Sequence, residues 1–239
     1  MAILIEYKEN TGSYNMDFDK TLLDRAISGK IKEPVLRFYG WSPACISLGR
    51  NQSSDNINTE YCKKTGIDIV RRITGGRGLL HDDELTYSFI CSSDFLKDGN
   101  NIISSYKEIS SAIIKGFRKL NIELDFGQKK QHRNSSDYCM LLSTGADLCY
   151  NGKKLIGSAQ YRKQGFILQH GSVLFSCKKE EIKHIFNEEV QENTITCIKE
   201  IAPSLTKKDI AEAVLSGFSS YFSVLFIPEF CNIEYRTFT

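Results

Sequence analysis

Two adjacent glycines lie in an arginine-rich run, Arg71-Arg72-Ile73-Thr74-Gly75-Gly76-Arg77-Gly78-Leu79-Leu80-His81-Asp82, with strand-like segments at Ile67–Val70 and Leu85–Ile90 on either side. A glycine pair lets the backbone approach a ligand closely and take φ > 0. Arginines beside it supply donors for a carboxylate or phosphate. Together they describe a cradle for an anionic or acyl-carrying small molecule, set between two strands. The same residues also read as an ordinary glycine turn with solvated arginines. The spacing is neither GxxxxGK[ST] nor GxGxxG, so the nucleotide-binding mechanisms of those loops are not indicated.

The periodicity around this run predicts a mixed fold. Asn15–Ser28 reads as a helix with Met16, Leu22, Leu23, Ala26 and Ile27 on one face, stopped by Gly29. Pro34–Tyr39 and Ala44–Leu48 read as strands, and Thr59–Thr65 as a short helix ending at Gly66. Ser104–Leu120 is amphipathic. Gly127–Ser136 is polar and basic and reads as a mobile surface loop. Asn151-Gly152 is a hairpin turn between strands at Ala146–Tyr150 and Lys153–Ile156. Phe166–Leu168 and Ser172–Ser176 read as two further strands, and Lys178–Phe186 and Lys207–Phe222 as helices, the last capped by Thr206 or Asp209. Hairpins dominate the middle and no βαβ alternation runs through, so the expected class is α+β, a mixed, largely antiparallel sheet packed with helices.

With 239 residues, 41% of them hydrophobic and 25% charged, the chain can bury a sizeable core as one domain over 1–239. A net charge of +2 gives no bias toward nucleic acid. No apolar run approaches the roughly 20 residues of a membrane span, and the N-terminus is a poor signal peptide. A cytoplasmic protein is expected. The eight cysteines form no CxxC pair and no zinc-site spacing, so they are expected to be reduced and mostly buried, with at most one or two doing chemistry.

Three further elements carry candidate chemistry. In Asn151-Gly152-Lys153-Lys154-Leu155-Ile156-Gly157-Ser158-Ala159-Gln160, Lys154 precedes an open Gly-Ser-Ala backbone; the alternative is a solvated basic hairpin. His170, in Leu168-Gln169-His170-Gly171-Ser172, is more often structural than catalytic in such a setting. Cys139 follows the polar loop, and a cysteine is nucleophilic only as thiolate, a form that a nearby cation favours.

In this order the four elements resemble the lipoate- and biotin-protein ligase superfamily, which includes the octanoyltransferases. The resemblance covers about residues 10–220. Asn15-Met16 with Asp19, Leu22 and Leu23 is similar to the family's opening helix. Trp41-Ser42-Pro43 and Ile46-Ser47-Leu48-Gly49-Arg50-Asn51-Gln52 are similar to its next strand and turn. Arg71 through Gly76 with His81 resembles its signature loop, and Lys154 with Gly157-Ser158-Ala159 its lysine motif. Arg77 stands where ATP-dependent ligases usually have a third glycine. Leu79 through Ser88 and Cys139 through Leu148 resemble the cysteine-dependent octanoyltransferase branch, whereas Gly49-Arg50-Asn51-Gln52 looks more like the ligase branch.

The resemblance implies a class II aminoacyl-tRNA synthetase/biotin-ligase-like fold and a ping-pong acyl transfer. Cys139 would take an octanoyl group from acyl carrier protein, with Lys154 stabilising the thiolate. A lysine of a lipoyl domain, such as the glycine-cleavage H protein, would then receive it. Arg71, Arg72, Thr74, Gly75, Gly76, Arg77 and Gly78 would line the acyl pocket with Gly157, Ser158 and Ala159, while His81 and His170 shape it rather than act as the base. No cofactor is implied. The alternative is an ATP-dependent lipoate-protein ligase, which would use ATP and Mg, with Lys154 on the lipoyl-adenylate. A non-catalytic lipoyl-domain or lipoate-binding accessory subunit is a third reading. No nucleic-acid or membrane partner is expected, and the sequence leaves oligomeric state open.

Overall fold

A computed structural model describes residues 1–127, 136–141, 147–191 and 193–229. Most of the polar loop expected at Gly127–Ser136, and residues 142–146 of the segment after Cys139, lie outside the described residues. In chain order the elements are β1 (Ala2–Asn10), α1 (Gly12–Ile27), β2 (Val35–Trp41), β3 (Cys45–Leu48), α2 (Thr59–Thr65), β4 (Asp68–Arg71), β5 (Leu79–His81), β6 (Glu84–Ser92), α3 (Ile102–Arg118), β7 (Asp125–Phe126), β8 (Leu148–Tyr150), β9 (Lys153–Lys163), β10 (Phe166–Leu174), α4 (Lys179–Phe186), α5 (Ile198–Ile201), α6 (Lys207–Phe222) and β11 (Phe226–Pro228).

Eight strands form one sheet in the order β11-β1-β2-β6-β10-β9-β8-β7; three form a small sheet in the order β4-β3-β5. In the large sheet β1 pairs parallel with β2 and β11, and the remaining pairings are antiparallel. The expected α+β, largely antiparallel architecture is therefore present. Alternation splits the large sheet into two faces. Phe89 and Ile167 join the main core beneath α3 and α6, whereas Ile90 and Leu168 pack with Phe18, Leu22 and Leu23 of α1. No helix among the described residues is long and apolar enough to cross a membrane.

Several local signals act as expected. Gly66 closes α2 in the left-handed region at φ 72°. Asn151 and Gly152 take φ 48° and 75° at the β8–β9 turn. Thr206 caps α6 in a reciprocal capping box with Asp209.

Other expectations are corrected. The two strands expected at Phe166–Leu168 and Ser172–Ser176 are one strand, β10, paired residue by residue with β6 from Phe166↔Ser92 to Leu174↔Glu84. Gly171 lies within that ladder at a close approach, where a Cβ would lie 2.3 Å from Ser158 Oγ and 2.7 Å from Gly157 O. The strands flanking the glycine loop do not face each other across it. β4 belongs to the small sheet and β6 to the large one, with β5 between them in sequence. β1 was not anticipated, because its apolar alternation covers only its first few residues.

Candidate active site

The glycine loop leaves β4 and returns as β5 within the small sheet, and touches the large sheet where Thr74 Oγ1 meets His170 Nε2 at 2.8 Å. A partly open cavity lies between the two sheets. Its mostly apolar wall includes Met16 of α1, Tyr39 and Trp41 of β2, Leu79 of β5, and Gly157, Ser158 and Ala159 of β9. Antiparallel pairing sets Ser158 opposite Gly171 and Ala159 opposite His170, so the Gly-Ser-Ala motif and the histidine form one continuous wall. Arg72, Gly76, His81, Cys139 and His170, all sequence candidates, also line it.

Cys139 opens a short 3-10 turn, Cys139–Leu141, at the cavity rim and is half-buried. Its backbone is fixed by the loop: the Cys139 N–H donates to Gly78 O at 2.8 Å and the Gly78 N–H to Asp137 O at 3.0 Å. A Cβ on Gly78 would lie 2.9 Å from the Phe186 ring. Lys154 is buried on β9. Its ammonium donates to Cys139 O at 2.9 Å and pairs with Asp147 at 3.1 Å. Burial pushes the thiols of Cys45, Cys62, Cys91, Cys177 and Cys197 above their ordinary value, Cys177 to about 11. Cys139 is the cysteine that the described cavity wall contains.

Two buried histidines carry similar sets of partners. His81, on β5, has Ser47 Oγ at 2.7 Å from Nε2 and Glu84 Oε1 at 2.7 Å from Nδ1. Its ring stacks on Trp41 with centroids 3.8 Å apart. Glu84 Oε1 also accepts from Thr86 and Ser172 at 2.5 and 2.6 Å. Burial is the largest influence on Glu84 and opposes its charge, but His81 and these hydroxyls outweigh it and hold the carboxyl below its usual value. His170, on β10, has Thr74 Oγ1 at 2.8 Å from Nε2 and Asp19 Oδ2 at 3.4 Å from Nδ1. Burial pushes its pKa down. Asp19 is held by Arg37 at 2.7 Å and accepts from the Tyr39 hydroxyl at 2.9 Å.

Arg72 joins the two groups. Its guanidinium donates to Thr74 Oγ1 and Ser47 Oγ, both at 3.1 Å, and to the carbonyls of Ser47, Gly75 and Arg77. Arg72 thus shapes the loop that encloses the cavity.

Several residues expected to line the pocket do not. Arg71 points the other way and donates to the carbonyls of Gly49 at 2.7 Å and Gln52 at 2.8 Å. As the last residue of edge strand β4, it braces the β3–α2 turn. Arg77 pairs with Asp137 at 3.4 Å and is partly exposed. Thr74, Gly75 and Gly78 lie outside the wall; Thr74 is fully buried behind His170. Ser47, Glu84, Asp19 and Asp147 had no site role in the sequence reading. Ser47 carries a weak signal, a polar residue between Ile46 and Leu48; Glu84 follows two aspartates and Asp19 precedes a lysine, so neither stands out in the sequence.

A half-buried cysteine thus lines a mostly apolar cavity, with a buried lysine on its backbone carbonyl. The family model for the lipoyl protein ligase A/B catalytic domain matches residues 11–219. The chain is 35% identical to the octanoyltransferase LipM of Geobacillus kaustophilus over 245 residues, covering 95% of this chain and 88% of that protein. It is 38% identical to the octanoyltransferase LipM of Clostridioides difficile over 209 residues, covering 86% and 75%. Among solved structures, lipoate-protein ligase A bound with ATP superposes with a TM-score of 0.76 at 22% identity, covering 95% of this chain and 88% of that one. A chain from a structural analysis of a bipartite lipoate protein ligase and its E2 lipoyl domain of Thermoplasma acidophilum gives 0.72 at 21%, covering 96% and 87%. These last two establish the shared fold. The chain belongs to the lipoyl protein ligase A/B catalytic domain family.

Proposed function

We propose that the protein is an octanoyltransferase that moves an octanoyl group from acyl carrier protein to a lysine of a lipoyl domain by way of a Cys139 thioester. The observation that carries this reading is the position of Cys139 at the rim of the apolar cavity, beside Gly157-Ser158-Ala159. The similarity to octanoyltransferases over most of the chain supports it.

In the first half-reaction the Cys139 thiolate attacks the donor thioester. The carbon–sulfur bond to the carrier breaks, and the carrier leaves as a thiolate that takes a proton from solvent. The apolar wall takes the acyl chain. Lys154 acts through the backbone as well as through its charge: by holding Cys139 O at 2.9 Å it fixes the turn that presents the thiol. A backbone N–H of the Gly157–Ala159 run would receive the developing oxyanion. In the second half-reaction the acceptor lysine displaces Cys139 and an amide forms. A thioester is already activated, so ATP is not required. The donor, the acceptor, exemplified by the glycine-cleavage H protein, and the reducing cytoplasm that a free thiol suits are parts of the same proposal.

The test is incubation with octanoyl-acyl carrier protein and intact-mass detection, with and without ATP. An octanoyl adduct is expected without ATP, and Cys139→Ala abolishes it. Acyl transfer that survives in Cys139→Ala and depends on ATP would replace this reading with that of a lipoate-protein ligase.

A further inference from the structure

The second half-reaction needs an acceptor for one proton. A lysine ammonium has an ordinary pKa of about 10.4 and must lose a proton before its nitrogen can attack. Cys139 is acylated at that stage. Lys154 is ion-paired with Asp147 at 3.1 Å and engaged with Cys139 O. Two histidines line the cavity, and their surroundings differ in one respect that decides between them. The carboxylate behind His170 is already committed, because Asp19 pairs with Arg37 at 2.7 Å and sits 3.4 Å from the ring. Burial further disfavours the charged form of His170.

Glu84, behind His81, has no Arg or Lys within ion-pairing distance among the described residues, and its Oε2 has no hydrogen-bond partner there. Its fully buried negative charge is directed at His81 Nδ1 from 2.7 Å. A protonated His81 would therefore find its countercharge in place. The tautomer follows from the same contacts. Arg72 donates to Ser47 Oγ, leaving the Ser47 hydroxyl proton to point at His81 Nε2, 2.7 Å away. His81 then carries its own proton on Nδ1, toward Glu84. Ser47 and His81 both line the cavity, so the hydroxyl and the imidazole bonded to it stand together in its wall.

We propose that Ser47 and His81 form a proton relay that takes the proton of the acceptor lysine before it attacks the acyl-enzyme, with Glu84 as the positioning carboxylate behind them. The ammonium gives a proton to Ser47 Oγ as Ser47 gives its own to His81 Nε2. The freed amine attacks the thioester carbonyl, the carbon–nitrogen bond forms and the carbon–sulfur bond to Cys139 breaks. The second nitrogen proton goes to Cys139 Sγ, and His81 returns its proton to solvent. His81 is thereby assigned more than the shaping role expected from sequence; His170 keeps that role.

The inference rests on the acyl-transfer reading, and its test separates the two. Octanoyl-enzyme is formed first and confirmed by mass, then mixed with either a lysine-bearing lipoyl domain or hydroxylamine, an acceptor already neutral at neutral pH. For His81→Asn, transfer to the lysine is expected to slow on the order of 100-fold, with little change toward hydroxylamine. Ser47→Ala, which removes a single oxygen, is expected to show the same split in weaker form and serves if His81→Asn does not fold. Equal loss toward both acceptors, or wild-type transfer to lysine, would overturn the relay. Failure of the wild-type protein to form any acyl-enzyme would instead overturn the acyl-transfer reading.

Discussion

Lys154 and Asp147 are both buried and lie 3.1 Å apart beside Cys139, so the aspartate offsets part of the lysine's charge. Asp147→Asn should release that charge. The alkylation rate of Cys139 with iodoacetamide at pH 7, followed by intact mass, is expected to rise on the order of ten-fold, equivalent to about 1.4 kcal/mol in favour of the thiolate. The same change breaks a buried pair and should lower stability. An unchanged alkylation rate would show that the pair does not control the thiol. Cys139 and Lys154 were legible in the sequence because their side chains declare their chemistry. Ser47 and Glu84 were not: a serine in an apolar strand and a glutamate opening another look ordinary until folding places His81, 34 residues from Ser47, between them. Arg71 and Arg72 were indistinguishable as neighbours in the loop. Their opposite directions come from strand alternation, which sends Arg71 to the turn carbonyls and Arg72 into the interior.

Elements were legible where local chemistry dictates them. The Thr206–Asp209 box, the Asn151-Gly152 turn and the amphipathic α3 are encoded within a few residues of themselves. β1, β5 and the unbroken β10 depend on partners far along the chain, so periodicity alone did not reveal them. The α3–α6 crossing is another long-range feature. A Cβ on Gly217 would lie 2.3 Å from Ala112 O, and one on Gly116 2.4 Å from Ala213 O, so two glycines facing opposite backbones let these helices touch. Helix propensity alone favours Gly217→Ala by about 1 kcal/mol. The clash is with backbone and cannot be relieved by a rotamer change, so the net effect is expected to be a loss of about 1–3 kcal/mol. Urea unfolding of the variant checks it; a midpoint above wild type would mean that the helices separate at little cost.

Across the whole molecule, the space between two sheets holds a set of buried titratable groups, and that arrangement sets its response to acid. His170 has its pKa lowered by burial, so the unfolded chain binds a proton there that the folded chain refuses. The stability this group contributes is present above its unfolded value of about 6.5 and is lost as pH falls through the folded value. Asp19 and Glu84 have the same sign. Burial raises them, but Arg37 beside Asp19 and His81 beside Glu84 prevail, and both carboxyls titrate below their ordinary values. Their contribution is present above the unfolded value of about 4 and is lost below it. Stability should therefore fall in two stages on acidification, the first beginning near pH 6.5 and the second near pH 4. Urea midpoints measured at intervals from pH 7.5 to 3.5 should show both. His170→Gln, which keeps a hydrogen-bonding side chain without the titration, should flatten the first stage and leave the second. A wild-type midpoint constant between pH 7.5 and 5, or a first stage unchanged in His170→Gln, would mean that the cavity wall accepts a proton on His170 without cost, contrary to its burial against Arg72 and Arg37-neutralised Asp19.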